Sequence, residues 1–289
     1  MNRLKNLEKV AIERLKAFEP EDGYYLAYSG GKDSDVIKIL SHLSGVKFEA
    51  VHNLTTVDAP ETVYYIKSQP DVRIDYPQKS MWRLIVEKCI PPTRIVRYCC
   101  SELKEKGGKG KIKVTGVRWA ESISRTESAA VVNVIGKPKT MQKTAVDMGV
   151  EFTVTKQNGL IMNDDNDINR RFVEHCYRTT TTILNPIVDW TDNDVWEFLK
   201  YYGCEGNPLY QCGFKRIGCI GCPMAPKHRY TEFRLYPKYR QNYVRAFELM
   251  IAHRKEKGLE TLWQSGEEVM KWWLGEDINQ LTLEELDNV

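Results

Sequence analysis

No run of apolar residues in this chain of 289 approaches the ~20 that a membrane-spanning helix needs. Charge of one sign is scarce as well, since 42 basic and 39 acidic side chains leave a net +3. That imbalance is too small to argue for nucleic acid by itself. No internal repeat or low-complexity segment appears, which excludes solenoid and collagen-like architectures. The basic start, Met1-Asn2-Arg3-Leu4-Lys5-Asn6-Leu7, is not followed by a signal-peptide core. A cytoplasmic protein with no membrane partner is therefore expected. The Walker pattern G-x-x-x-x-G-K-[ST] is missing too.

What is present begins with length, enough for one large α/β domain with an appendage or for two small domains. Lys104, Lys106, Lys109, Lys111 and Lys113 interleave with Gly107, Gly108 and Gly110. Such a run reads first as a solvated loop, and second as a contact for a phosphate-rich ligand, nucleotide or nucleic acid. Eight cysteines in a cytoplasmic chain point to metal or redox use rather than to disulfides.

Ser29-Gly30-Gly31-Lys32-Asp33-Ser34 carries the most chemistry. It follows the apolar segment Tyr24-Tyr25-Leu26-Ala27-Tyr28 and precedes the helical pattern Val36, Ile37, Ile39, Leu40. A strand, a glycine turn and a helix N-terminus in that order form an anion cradle. The glycines let backbone N–H groups approach a phosphate, and the helix dipole favours its charge. Lys32 adds a mobile cation, and Ser29 and Ser34 add hydroxyl donors.

Helical periodicity runs from residue 4 to residue 18 and again over 37–43, 60–68 and 80–88. Strands are expected over 47–52, 72–76 and 111–117. Alternation at this spacing predicts a Rossmann-like, doubly wound α/β fold with a mostly parallel sheet, which binds its ligand at the carboxyl ends of the strands. Residues 136–175 read as an insertion, polar and weakly periodic, with a hairpin. Its Asn163-Asp164-Asp165-Asn166-Asp167 run reads as a solvated turn, because it lacks the spacing of a calcium loop. Thr191-Asp192-Asn193-Asp194 starts a helix with a near capping box. We divide the chain into a nucleotide-binding domain over 1–200 and a cysteine-bearing, helical region over 201–289. The aromatic residues of 229–274 fall at helical spacing and read as core.

The cysteines allow three readings. Cys219-Ile220-Gly221-Cys222 is a C-x2-C turn, and Cys99-Cys100 lies far upstream. Adjacent thiols diverge and suit the separated corners of a [4Fe-4S] cluster, held by Cys99, Cys100, Cys219 and Cys222. Alternatively Cys204, Cys212, Cys219 and Cys222 form a zinc knuckle. Third, several are buried apolar thiols; Cys89 reads as core, and Cys176 beside His175 as a substitute ligand.

Several segments together resemble the phosphoadenosine phosphosulfate reductase family of the adenine-nucleotide α-hydrolase (PP-loop) superfamily. The loop at 29–34 resembles its SGGxDS motif. Thr55-Thr56-Val57-Asp58-Ala59-Pro60-Glu61-Thr62 is similar to its DTGxxFPET segment with the leading residues altered. Gly116-Val117-Arg118 through Ser124-Arg125 is similar to GxRxxxSxxR, and Asn185-Pro186 through Val195-Trp196 to NPL-DWTxxDVW. Asn207-Pro208-Leu209-Tyr210 and Ile217-Gly218-Cys219 follow in the family order. The Cys-Cys plus C-x2-C pattern resembles that of the iron–sulfur adenylyl-sulfate reductases.

The resemblance implies an adenine nucleotide, ATP or adenylyl sulfate, held by Ser29, Gly30, Gly31, Lys32, Asp33, Ser34, Gly116 and Arg118. Lys32, Asp33, Arg118 and Arg125 are the implied catalytic residues, with Mg2+ a candidate on Asp33. It implies the [4Fe-4S] reading of the cysteines. The reductases carry a nucleophilic cysteine in a C-terminal ECG-[IL]-H segment, whereas this chain has none after Cys222 and ends Leu286-Asp287-Asn288-Val289. The expectation therefore moves from reduction towards ATP cleavage between the α- and β-phosphates, with adenylation and sulfur transfer, as in tRNA thiolation. Alternatives are a sulfonucleotide reductase whose thiol comes from Cys176, Cys204 or a partner, and a non-catalytic nucleotide- and metal-binding module. A sulfur or electron donor protein is an expected partner.

Overall fold

The computed structural model describes residues 2–276. The C-terminal residues 286–289, singled out above, lie outside the described residues. In chain order the first elements are α1 (Asn2–Ala17), β1 (Tyr24–Ala27), α2 (Lys32–Ser44), β2 (Phe48–Asn53), α3 (Pro60–Lys67) and β3 (Val72–Asp75). Next come α4 (Met81–Lys88), α5 (Tyr98–Leu103), β4 (Lys113–Val114), α6 (Ile123–Ser128), β5 (Val132–Ile135) and α7 (Pro138–Asp147). They are followed by β6 (Thr153–Val154), β7 (Leu160–Met162), α8 (Asp167–Cys176), β8 (Thr181–Leu184) and α9 (Asp192–Tyr201). The chain continues through α10 (Pro226–Leu235), α11 (Pro237–Glu256) and α12 (Gly266–Leu274). Among the described residues no helix is long and apolar enough to cross a membrane.

Two compact units share the chain, and their segments alternate. Among the described residues the first takes 2–52, 60–75 and 107–217; the second takes 53–59, 76–106 and 218–276. A contiguous division at residue 200 does not describe this arrangement, because two upstream segments pack with the C-terminal helices.

The first unit is an α/β sheet of eight strands in the order β3-β2-β1-β4-β8-β5-β7-β6. Strand β1 pairs in parallel with β2 and β4, and β4 in parallel with β8. Tyr24, Tyr25 and Leu26 of β1 are all buried, as a central parallel strand requires. The mostly parallel, Rossmann-like sheet expected from the alternating pattern is the one observed. The insertion does more than form a hairpin. Strands β6 and β7 do pair antiparallel, with Asn158 at positive φ in their turn. Strand β7 also pairs antiparallel with β5, which itself pairs antiparallel with β8, so the insertion widens the sheet by two strands beyond β5. Two helices, α7 and α8, flank this extension. Helix α8 carries Phe172, Val173 and Cys176 into the core and starts on Asn166, whose side chain accepts from Asn169 N–H at 2.9 Å. The acidic run is thus a helix start rather than a plain turn.

Local rules set the ends of the helices around the candidate site. Helix α2 stops at Gly45, in the left-handed conformation at φ +71°. Helix α9 opens with a capping box: Asp194 N–H donates to Thr191 Oγ1 at 3.2 Å and Thr191 N–H donates to Asp194 Oδ2 at 2.8 Å. In the second unit Phe233, Tyr243, Phe247 and Trp273 form a buried aromatic cluster from α10, α11 and α12. The helical spacing of these aromatics serves core packing.

Candidate functional site

The glycine loop joins β1 to α2 in the first unit. Gly30 sits at φ +72°, and a Cβ there would come within 2.9 Å of Ile66 Cγ1. Only glycine fits both constraints. Ser34 Oγ donates to Gly31 O at 2.7 Å and accepts from Gly31 N–H at 3.1 Å, which folds the loop back onto the first turn. Buried Asn207 donates to Gly30 O and to Thr62 Oγ1, both at 3.1 Å. Tyr210, three residues on, accepts the Lys32 N–H at 3.0 Å.

The charged side chains form a closed quartet. Lys32 Nζ lies 3.0 Å from Asp33 Oδ2 and 3.3 Å from Asp192 Oδ1. Arg118 places Nε 2.7 Å from Asp33 Oδ1 and Nη2 2.6 Å from Asp192 Oδ1. Its Nη1 donates to Trp190 O at 3.2 Å. Arg118 is 1% exposed. Burial works against its charge, but Asp33 and Asp192 outweigh burial and hold the guanidinium above its usual range. For Asp192 burial again opposes the charge, and Arg118 and Lys32 hold its carboxyl below the usual range. Gly116 makes room for this meeting, because a Cβ there would come 2.7 Å from Asp33 Cβ.

The structure therefore gathers Ser29, Gly30, Gly31, Lys32, Asp33, Ser34, Gly116 and Arg118, as the sequence suggested. It does not leave Lys32 as a mobile cation, since two carboxylates hold it. Arg125 stands on α6, half-exposed, and its ion pair is with Glu121 at 3.7 Å rather than with a loop residue. Asp192 and Tyr210 join the site beyond the residues expected from the sequence. Both lie inside motif segments, 185–196 and 207–210, and the helix start at Thr191 accounts for an aspartate at 192 without a site.

The thiols lie in the second unit. Helix α5 carries Cys99 and Cys100, while Cys219 makes an antiparallel bridge to Asp58. Ile220 N–H donates to Val57 O at 2.8 Å, and Cys219 Sγ lies 3.4 Å from Thr55 Oγ1. Tyr239 Oη donates to Asp58 O at 2.9 Å and Tyr243 Oη to Ile220 O at 3.0 Å, so α11 braces both sides of the bridge. Gly221 at φ +74° lets the C-x2-C turn lie on the aromatic cluster, with Phe233 only 2.7 Å from where a Cβ would be.

The four thiols act on one another. The hydrogen bond to Cys100 pushes the Cys99 thiol up, with burial and the nearby Cys219 and Cys222 adding to it. Cys100 moves down, through Cys99 first and then Arg97. Cys219, foremost, and Asp58 hold the Lys104 ammonium above its usual range. Burial pushes the Cys219 thiol up while Lys104 pulls it down, and a lysine run in the sequence cannot reveal that pairing.

Among the described residues no three His, Cys, Asp or Glu side chains are spaced to hold a single metal ion. This holds for the zinc-knuckle set Cys204, Cys212, Cys219 and Cys222 and for the set Cys99, Cys100, Cys219 and Cys222 alike; Cys212 is exposed. Cys99, Cys100, Cys219 and Cys222 offer a sulfur donor set of the kind a [4Fe-4S] cluster takes, whose ligands bind separate iron corners. Burial pushes the Cys176 and Cys204 thiols up.

The phosphoadenosine phosphosulfate reductase domain model matches residues 23–225. An uncharacterized protein of Methanocaldococcus jannaschii is 25% identical over 260 residues, covering 84% of this chain and 53% of that protein. An adenosine 5'-phosphosulfate reductase of Burkholderia cepacia is 46% identical over 41 residues, 14% of this chain and 16% of the relative. A crystal structure of Candida glabrata FMN adenylyltransferase is similar at a TM-score of 0.43 and 13% identity, covering 76% of this chain and 64% of that one. The chain spans about half the length, or less, of these curated relatives.

Proposed function

The chain belongs to the phosphoadenosine phosphosulfate reductase domain family, and from that membership we propose an ATP-dependent, iron–sulfur-assisted sulfur-transfer enzyme. ATP is cleaved between its α- and β-phosphates. A nucleophilic oxygen of the acceptor attacks the α-phosphorus; the new P–O bond forms, the bridging P–O bond to the β-phosphate breaks, and pyrophosphate leaves with the electron pair. Sulfide-level sulfur from the donor then attacks the carbon that bears the adenylated oxygen; the C–S bond forms, the C–O bond breaks and AMP departs with the electron pair.

In this reading Ser29, Gly30, Gly31 and Ser34 cradle the phosphates, and Lys32 and Arg118 neutralise charge on the leaving oxygens. Asp33 orients both cations and is the candidate Mg2+ ligand. Arg125 remains a candidate for outer phosphate or sulfate oxygens. Cys99, Cys100, Cys219 and Cys222 would hold the cluster, and Lys104 would balance the negative charge of its thiolates. When bound, a [4Fe-4S] cluster supplies an iron site for sulfur or a route for electrons.

The observation that carries this reading is the meeting of the tandem cysteines with the C-x2-C turn in one unit. A sulfonucleotide reductase is the second reading, favoured by the likeness to adenosine 5'-phosphosulfate reductases. The raised thiols of Cys176 and Cys204 speak against either as its nucleophile. A nucleotide- and metal-binding module without catalysis is the third.

Anaerobically purified protein separates them. The first reading expects a brown protein with iron and sulfide, and pyrophosphate release from ATP when an acceptor, with bulk tRNA as the probe, is supplied together with a sulfur donor protein. Thiol-dependent sulfite release from adenylyl sulfate would transfer the assignment to the reductase. ATP binding with neither product would leave the module.

A further inference from the structure

Helix α2 presents its first N–H groups where an anion would sit, yet two of them are already engaged. Gly31 N–H is given to Ser34 Oγ at 3.1 Å, and Lys32 N–H to Tyr210 Oη at 3.0 Å. The first bond is local and belongs to the turn itself. The second crosses 178 positions of sequence and brings a phenol from a separate segment.

That phenol is held from three sides. Trp196 of α9 packs edge-on against it, with ring centroids 5.0 Å apart. Asn207 accepts the Leu209 N–H at 3.1 Å, shaping the short 3-10 turn Pro208–Tyr210, while its amide grips Gly30 O. Gly31 carries no side chain; a Cβ there would come within 3.2 Å of the Tyr210 hydroxyl. Burial keeps the phenol neutral. The arrangement delivers one uncharged oxygen to a first-turn N–H of the cradle.

We propose that Tyr210 is an internal stand-in for a phosphate oxygen, and that a bound phosphate takes the Lys32 N–H by displacing its hydroxyl. This rests on the reading of the loop as a phosphate cradle. One N–H makes one strong hydrogen bond, so the hydroxyl and a phosphate oxygen compete for it. An anionic oxygen wins because its hydrogen bond is charge-assisted and the helix dipole favours it. An anion must first break the phenol contact. Tyr210 thereby sets a threshold that weakly charged or neutral ligands fail to pass.

The test compares the whole protein with Tyr210→Phe, using inorganic pyrophosphate and Mg-ATP as probes in calorimetry. Removing the competing hydroxyl should tighten pyrophosphate binding roughly 3- to 10-fold. In the otherwise unaltered protein, pyrophosphate should change tryptophan emission as the ring leaves Trp196, and Trp196→Phe should abolish that change. Equal or weaker binding by Tyr210→Phe, with clear binding by the parent, overturns the proposal and leaves the cradle intact. Absence of binding to the parent overturns the cradle reading and this proposal with it. Should the phenylalanine variant not fold, the emission change in the parent decides, and its absence is a refutation.

Discussion

Asp35→Asn should stabilise this protein at neutral and alkaline pH, with a gain that shrinks in acid. Asp35 follows the glycine loop on the first turn of α2 and is 2% exposed. Tyr28 Oη donates to its Oδ1 at 2.5 Å, and Oδ2 is buried with no hydrogen-bond partner among the described residues. Burial raises its pKa to about 6 from 3.8. Tyr28, Tyr65 and Lys38 pull it down, and Asp33 pushes it up, but burial dominates. Cys204, whose thiol Asp35 helps to raise, faces the same carboxylate, and Lys38 divides its charge with Gln69 and Asp71.

The sign follows from linkage. A carboxyl whose folded pKa lies above its unfolded value costs nothing below pH 3.8 and its full penalty above pH 6. The full penalty is about 3 kcal/mol, the free-energy equivalent of a pKa moved from 3.8 to about 6. Between pH 5 and pH 8 the penalty grows by about 1.4 kcal/mol. Asparagine mimics the protonated acid but adds an amide donor, which costs about 1 kcal/mol or more if it finds no acceptor. Urea unfolding of both proteins at pH 5, 6, 7 and 8 reads the difference directly. The diagnostic quantity is the slope, because the donor cost is common to all four points. A stability difference that stays flat across this range, or grows towards acid, would refute the reasoning.

Three further outcomes are expected. Gly30→Ala should cost about 1–2 kcal/mol for the left-handed backbone alone, and more for the contact with Ile66, in thermal or urea unfolding. Lys32→Ala should weaken Mg-ATP binding by about 1–3 kcal/mol in calorimetry; an unchanged affinity would mean that Asp33 and Asp192 keep the ammonium from the ligand. Cys219→Ser should lose iron and the broad absorbance near ~400 nm, and retention of both would move the ligand set to other thiols.

What could be read in advance was local. The strand–glycine–helix sequence at 24–40, the capping box at 191–194 and the aromatic spacing of α10 to α12 each depend on neighbours within a few residues. Their propensities and the tertiary structure agree, as expected of a consistent sequence. Boundaries suffered where a strand was short: β4 spans only Lys113–Val114 inside the strand expected over 111–117. Helix α8 was hidden because its buried positions, Asn169, Phe172, Val173 and Cys176, include a polar residue at the head of the stripe.

The pairings that make the site are of another kind. Arg118 meets Asp33 across 85 positions and Asp192 across 74, and Asn207 reaches Gly30 across 177. No periodicity encodes a contact at such separation. A motif can show that an arginine and an aspartate belong to one site, but not that they neutralise each other there. That distinction matters chemically, since a free guanidinium attracts an anion whereas one bonded to two carboxylates must first exchange partners. The glycines came nearest to revealing it. Gly116 is small because Asp33 lies against it, and Gly31 faces the oxygen that holds Lys32 N–H. In this loop the missing side chains mark where other side chains arrive.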